Sequence, residues 1–203
     1  AVGGVEPQSE TVWRQASKYG VPRIGFVNKM DRAGANFLGC VGQIRERLNA
    51  NPVPIQLPLG REDSYLGIID LVKMNANVYS DKKDKGEIYE EVDIPEEFME
   101  EALEYRELMI EAISDVDEKI MEKFLAEEEV SAEEIYAALR KGTLELKFTP
   151  ILCGSAFKNK GVQQLLDAVV AYLPSPIEVP PIKAIDPDTL KEVVREPDSS
   201  EPL

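Results

Sequence analysis

Hydrophobic positions in this chain switch between helical spacing and short continuous runs, and the switches mark out its elements. Val12, Trp13, Ala16 and Tyr19 recur at helical spacing within residues 7–20, with Ser9 placed to cap the start, Gly20 to stop the end and Trp13 read as a core side chain. Residues 24–27 then form an apolar run prefaced by Pro22, the pattern of a buried parallel strand. It ends abruptly in Asn28, Lys29 and Asp31. Residues 32–34 read as a loop and 35–49 as a helix with Phe37, Val41, Ile44 and Leu48 on one face.

At Pro52 the pattern changes. Residues 53–59 alternate among prolines, as an edge strand would, and 66–72, 75–79 and 87–92 read as further strands, with a polar turn at 81–86. This predicts a small antiparallel sheet. Three helices follow: one opened by Pro95, one by the box-like residues 115–118, and one by the capping box Ser131–Glu134, running to Gly142. The second carries Ile120, Phe124 and Leu125. Residues 148–153 are again a short buried strand, interrupted by Gly154, Ser155 and Ala156. Residues 161–173 form a helix with Val162, Leu165, Leu166, Val169 and Val170 inward. The proline-rich stretch 174–181 reads as a linker, and 181–203 as the start of another domain.

Composition sharpens this division. Net charge is −15 over 203 residues. Residues 52–147 hold 26 acidic and 11 basic side chains, whereas the remainder holds 12 of each. The acidic piece is a poor surface for phosphate and suits a protein partner. There is no histidine, which removes Ser-His-Asp and Cys-His catalysis and the commonest zinc sites. Cys40 and Cys153 are expected as two buried free thiols. No apolar stretch approaches ~18 residues, so no membrane span is expected. The chain opens Ala1-Val2-Gly3-Gly4 without a methionine or a signal sequence, and a fragment beginning inside a fold is expected.

The chemistry concentrates at the ends of the two buried strands. In open α/β sheets, ligands sit beyond such carboxyl ends. Guanine presents N1–H and N2–H side by side, and one carboxylate, Asp31, can accept both. Adenine would leave it unpaired. Asn28 can bond the far edge of a base and neighbouring loops, and the Lys29 stem can lie flat on the ring. Asn-Lys-x-Asp arises by chance about once in forty chains of this length. Gly-Ser-Ala is weak alone, being an ordinary strand-to-helix turn. It gains weight from sharing the sheet edge, where small residues let a ligand approach the backbone and an amide N–H can address a purine O6. Lys158 and Lys160 read as surface lysines.

Residues 28–37, Asn-Lys-Met-Asp-Arg-Ala-Gly-Ala-Asn-Phe, and 153–176, Cys-Gly-Ser-Ala-Phe-Lys-Asn-Lys-Gly-Val-Gln-Gln-Leu-Leu-Asp-Ala-Val-Val-Ala-Tyr-Leu-Pro-Ser-Pro, resemble bacterial-type translation elongation factor G. The resemblance covers nearly the whole chain. It implies that Asn28, Lys29 and Asp31 match the fourth GTPase motif, and Ser155 and Ala156 the fifth. The implied fold is α/β: a partial P-loop-GTPase-type parallel sheet interrupted by an α+β insertion and followed by the start of a β-barrel domain. The expected domains are 1–51 and 148–174 for the GTPase portion, 52–147 for the insertion, and 175–203 for the linker and barrel start. The implied ligand is GTP or GDP. The Mg2+ ligands, phosphate loop, switch regions and catalytic histidine of the family would lie upstream of Ala1, so no catalytic or metal residue is expected here and the fragment alone is expected to be inactive.

The implied parent activity is GTP-driven translocation of tRNA and mRNA on the ribosome, in a monomeric cytoplasmic protein. Ribosomal protection and release-factor GTPases are the close alternatives. From another class, the chain could act as a non-catalytic acidic interaction module. Glu100, Glu104, Glu107 and Glu111 lie largely away from the apolar stripe of their helix. A solvated face is the plain account, and the resemblance adds docking on the ribosomal stalk protein.

Overall fold

The computed structural model describes residues 1–80, 88–179, 181–185 and 191–195. Ala1–Leu173 forms one unit and Pro174–Leu203 another. Helix α1 (Pro7–Lys18) has Glu6, not Ser9, at its N-cap. Pro7 takes the first helical position, where its missing N–H leaves nothing unsatisfied and its φ is already helical. The helix closes at Gly20 as expected, with Val21 N–H reaching the Ala16 carbonyl at 2.9 Å. Its apolar stripe is not buried: Val12 is 56% and Tyr19 73% exposed. Trp13, expected in the core, is half-buried and carries the Arg23 guanidinium 4.2 Å from its ring centre, a cation–π contact. Arg47 ties this region down by bonding the Val5 carbonyl and, at 2.5 Å, the Glu10 carboxylate.

Strand β1 (Gly25–Val27) is followed by helix α2 (Phe37–Leu48), which buries Phe37, Cys40 and Val41. Its N-cap, Asn36, accepts from Gly39 N–H at 2.8 Å. Residues 53–59, expected as one strand, are divided between β2 (Pro52–Pro54) and β3 (Gln56–Leu59). Ile55 joins two sheets: its N–H donates to Ile151 O and its carbonyl accepts from Leu71 N–H, each at 3.1 Å. Both strands lie at a sheet edge, the position where proline's missing N–H is tolerated.

Strand β3 pairs with β4 (Gly67–Asp70), which pairs with β5 (Asn75–Tyr79), which pairs with β6 (Tyr89–Val92), all antiparallel. The turn expected at 81–86 and residue 87 of the expected strand lie outside the described residues. Helices α3 (Glu96–Ser114), α4 (Glu118–Leu125) and α5 (Ala132–Leu144) follow. Arg106 of α3 donates to the Leu71 and Val72 carbonyls at 2.5 and 2.8 Å, joining the helix to the turn after β4. α4 is capped by Asp117, which accepts from the N–H groups of Lys119 and Ile120, so the box expected from Asp115 does not form. Of the apolar residues this helix carries, Ile120 is buried and Leu125 is 75% exposed at its end. The Ser131–Glu134 box forms as read.

Strand β7 (Thr149–Cys153) runs parallel between β1 and β2, and all five of its residues are buried. Burial on both faces is why it reads as a continuous apolar run. β1 lies at the free edge, and only Val27 of it is fully buried. Helix α6 (Val162–Tyr172) buries Gln164, Ala168 and Tyr172, while Leu166, Val169 and Val170 are exposed, contrary to expectation. Gln164 holds an inward position because the Tyr79 hydroxyl donates to its Oε1 at 2.6 Å. Cys40 and Cys153 are buried free thiols, as expected. Among the described residues no helix is long and apolar enough to cross a membrane. In the second unit, β8 (Ile182–Ile185) and β9 (Glu192–Arg195) pair antiparallel.

Helix α5 does not stop at Gly142. A Cβ at that position would lie 2.2 Å from the Phe148 ring, whose side chain is itself buried. Two effects therefore oppose each other in Gly142→Ala. Helix propensity gains about 1 kcal/mol. Overpacking against a buried ring costs about 1–3 kcal/mol. The variant is expected to be less stable by up to about 2 kcal/mol. Urea unfolding measures this, and a stabilised variant would show that Phe148 moves freely.

Candidate functional site

Val27 and Cys153 are partners across β1 and β7, so the loops leaving both strands start side by side. Backbone bonds lace them together: Gly154 N–H donates to Val27 O, and Met30 N–H to Gly154 O, each at 3.1 Å. Side chains complete the join. Asn28 Oδ1 accepts from Lys29 N–H at 2.7 Å and from Ala156 N–H at 3.0 Å. Ser155 Oγ donates to Asp31 Oδ1 at 2.6 Å. Asn28, Lys29, Asp31, Ser155 and Ala156 are thus one cluster, although 124 residues separate Asp31 from Ser155.

The cluster is electrostatically organised around Asp31. Burial alone would raise its carboxyl. The hydrogen bond from Ser155, its own backbone N–H and the nearby Lys158 and Arg32 cations outweigh that and hold it below the ordinary carboxylate range. Lys158 Nζ lies 3.9 Å from Asp31 Oδ2. Asp31 is therefore an ionised acceptor at neutral pH, with Oδ2 and the remaining lone pair of Oδ1 available to paired donors. Lys29 adopts φ 67°, a left-handed conformation uncommon outside glycine, and its N–H is held by Asn28 Oδ1. Its side chain is exposed at the edge of the cluster.

Two details differ from what residue types suggest. Gly154 is expected to let a ligand approach the backbone. A Cβ there would instead lie 2.4 Å from the Lys160 carbonyl oxygen and 2.5 Å from the Phe26 ring, so the protein's own packing requires glycine. Lys160, expected at the surface, is 1% exposed. Its ammonium donates to the Tyr65 carbonyl at 3.1 Å, a partner 95 residues away that no local pattern reveals. Glu62 and Tyr79 also reach these loops from the antiparallel sheet. Only the long-range fold brings them there.

Parallel strands ending in these two joined loops, with helices packed around them and an α+β insertion between, define an α/β domain of the GTPase class. A family profile described as "Elongation factor Tu GTP binding domain" matches residues 1–175, and the chain belongs to that family, one of translational GTPases that bind guanine nucleotides. A crystal structure of a protein from Thermus thermophilus superposes with a TM-score of 0.75 at 29% sequence identity. The match covers 95% of this chain and 29% of that one, so the chain spans well under two thirds of its structural neighbour.

Replacing Ser155 by alanine removes the 2.6 Å bond to Asp31. The Asp31 carboxyl should then rise toward the ordinary range, and the fold should lose about 1 kcal/mol at neutral pH. The sign in acid follows from linkage. A carboxyl depressed in the folded state stabilises above its unfolded pKa, and that contribution vanishes as pH falls through the folded value. The stability gap between wild type and Ser155→Ala should therefore close in acid. Carboxyl NMR titration with urea unfolding across the acid range checks both points; an unmoved Asp31 titration contradicts them.

Proposed function

We propose that this chain is the base-reading portion of a translational GTPase, with Asn28, Lys29, Asp31, Ser155 and Ala156 at the guanine end of a GTP/GDP site. The observation that carries the reading is the Ser155–Asp31 hydrogen bond at 2.6 Å, which joins the two loops and fixes the ionised carboxylate. Asp31 accepts guanine N1–H and N2–H. Adenine, with an acceptor at N1 and nothing at C2, leaves the carboxylate unpaired. The Asn28 Nδ2 group is a donor for the far edge of the base, and the Lys29 stem covers one ring face. Ala156 N–H already donates to Asn28 Oδ1, so a purine O6 must compete with that bond.

These residues supply base selectivity and no hydrolytic group. The 203 residues contain neither Gly-x-x-x-x-Gly-Lys-[Ser/Thr] nor any histidine. In the longer polypeptide the site would serve ribosomal translocation of tRNA and mRNA in the cytoplasm. The ribosomal-protection and release-factor alternatives share the base site, and the likeness of residues 153–176 to elongation factor G favours translocation.

A second surface supports a role on the ribosome. Glu100, Glu104, Glu107 and Glu111 are all exposed on α3, and Leu103 and Leu108 beside them are 54% and 47% exposed. Carboxylates interleaved with exposed leucines favour a partner with both basic and apolar groups, for which the ribosomal stalk protein is proposed. The same surface suits a nucleotide-independent interaction module.

Nucleotide assays test the first reading. The isolated chain should turn over no GTP above a buffer blank. In the longer polypeptide that joins it to a phosphate-binding loop, Asp31→Asn should weaken GDP binding by about 10- to 100-fold. The variant should gain affinity for xanthosine diphosphate, whose C2 oxygen needs a donor. Retained guanine selectivity would remove Asp31 from its role. For the second surface, charge reversal to lysine at all four glutamates should slow association with purified stalk protein about tenfold at low salt and flatten its salt dependence. Unchanged stopped-flow rates would reduce the stripe to a solvated face.

A further inference from the structure

We propose that the antiparallel sheet holds the two base-reading loops in place through Glu62, Tyr79 and the buried Lys160–Tyr65 contact, making these positioning residues for the nucleotide base. The proposal rests on the guanine site described above, but each tether is a separate observation.

Glu62 lies in the turn after β3 and grips the first loop at two points. Its N–H donates to Met30 O at 3.0 Å, and its Oε1 accepts from Gly34 N–H at 2.8 Å. The residue adopts φ 54°, a left-handed conformation that a non-glycine residue keeps only when its surroundings hold it. Glu62 thus spans the loop that carries Asp31, with its backbone at Met30 and its side chain at Gly34.

Tyr79 ends β5 and reaches the second loop. Its hydroxyl accepts from Gly161 N–H at 2.9 Å and donates to Gln164 Oε1 at 2.6 Å. Gly161 is the N-cap of α6 and has no side chain to satisfy the first N–H groups of the helix. The hydroxyl supplied by the sheet accepts from the N-cap N–H itself, the part an N3 glutamate or glutamine plays in a capping box. Burial pushes the Tyr79 hydroxyl up to about 12, so it remains protonated and keeps its donor to Gln164.

Lys160 supplies the third tether. Its backbone exchanges two bonds with Ser155, at 2.9 and 3.1 Å, and its ammonium reaches back to Tyr65 O at 3.1 Å, 5.9 Å from the centre of that ring. A buried ammonium is costly unless its acceptors are fixed. The arrangement therefore sets Ser155, and through it Asp31, against the backbone of the insertion. Asn28–Asp31 and Gly154–Gly161 are each bonded to the other and both to the same sheet.

The test is Tyr79→Phe, which keeps the ring and deletes the hydroxyl. Amide hydrogen exchange on the 203-residue chain should accelerate about three- to tenfold at residues 154–164 while exchange in β3–β5 stays unchanged. In the longer polypeptide, preference for GDP over 2-aminopurine riboside diphosphate, which lacks O6 and N1–H, should fall by a similar factor. Glu62→Ala should do the same at residues 28–34, and Glu62→Gln, which keeps an oxygen acceptor, should restore it. Unchanged loop exchange, acceleration spread evenly over both sheets, or selectivity that stays fixed while the loop loosens would each overturn the proposal. If wild type itself shows no guanine preference while the loops loosen as expected, the tethers stand as structural bonds, and the guanine reading and the positioning role built on it both fall.

Discussion

The parallel pairing of β7 between β1 and β2 is the constraint on which the other features depend. It sets Val27 against Cys153 and Val53 against Pro150, bringing together segments about a hundred residues apart. Closing so long a loop costs entropy that grows only slowly with its length. The return is five fully buried residues in β7, of which Ile151 and Leu152 alone contribute about 3–6 kcal/mol. With that strand in place, residues 55–148 are a detour between the neighbouring strands β2 and β7, and the two polar loops must emerge at the same sheet edge.

From that edge the local chemistry follows with little freedom. The Ser155 hydroxyl is almost wholly buried and needs an acceptor, and Asp31 is the one it finds. The carboxylate gains a donor, Lys158 approaches its other oxygen, and ionisation is favoured despite partial burial. Asn28 acts as a staple through one oxygen that takes N–H groups from both loops. In this arrangement the residues proposed to select guanine also join the two loops. The proposed base selectivity and the stability of the loops are consequently linked at Asp31.

What was legible in the sequence was what local physics determines. Residues 24–27 and 148–153 announced strands as short apolar runs, although burial on both faces explains only the second. Ser131 and Glu134 announced a helix start because the capping box is complete within four residues. The site residues were legible as types at strand ends. What failed was whatever depends on a distant partner. Gln164 is inward because of Tyr79, 85 residues away, and Lys160 is buried because of Tyr65, 95 residues away. Hydrophobicity alone would exchange Gln164 with Leu166. The alternation through residues 53–59 concealed the change of sheet at Ile55, since both sheets accept an extended edge segment there. Trp13 looked like core because helical spacing says which residues share a face, not whether anything covers it.

The acidity of the insertion raises a last physical question, because the same segment supplies Glu62 and Tyr79 to a site proposed to hold an anionic nucleotide. A net charge of −15 concentrated in residues 52–147 opposes such a ligand. Distance limits the opposition: at physiological ionic strength the screening length is about 8 Å, so exposed carboxylates on α3 count only where a phosphate comes that close. Near the site the balance is different. Lys158 sits 3.9 Å from Asp31, and Arg32 and the exposed Lys29 flank it in the chain. Glu62 commits one oxygen to the Gly34 amide, which lowers its effect as a free acceptor toward the ligand. Local cations thus offset the one carboxylate proposed to meet the base, and seven of the acidic side chains of residues 52–147 lie along α3. The proposed acidic contact surface and the proposed nucleotide site can share one compact unit on those terms, provided that hydrogen bonds rather than charges join the antiparallel sheet to the loops.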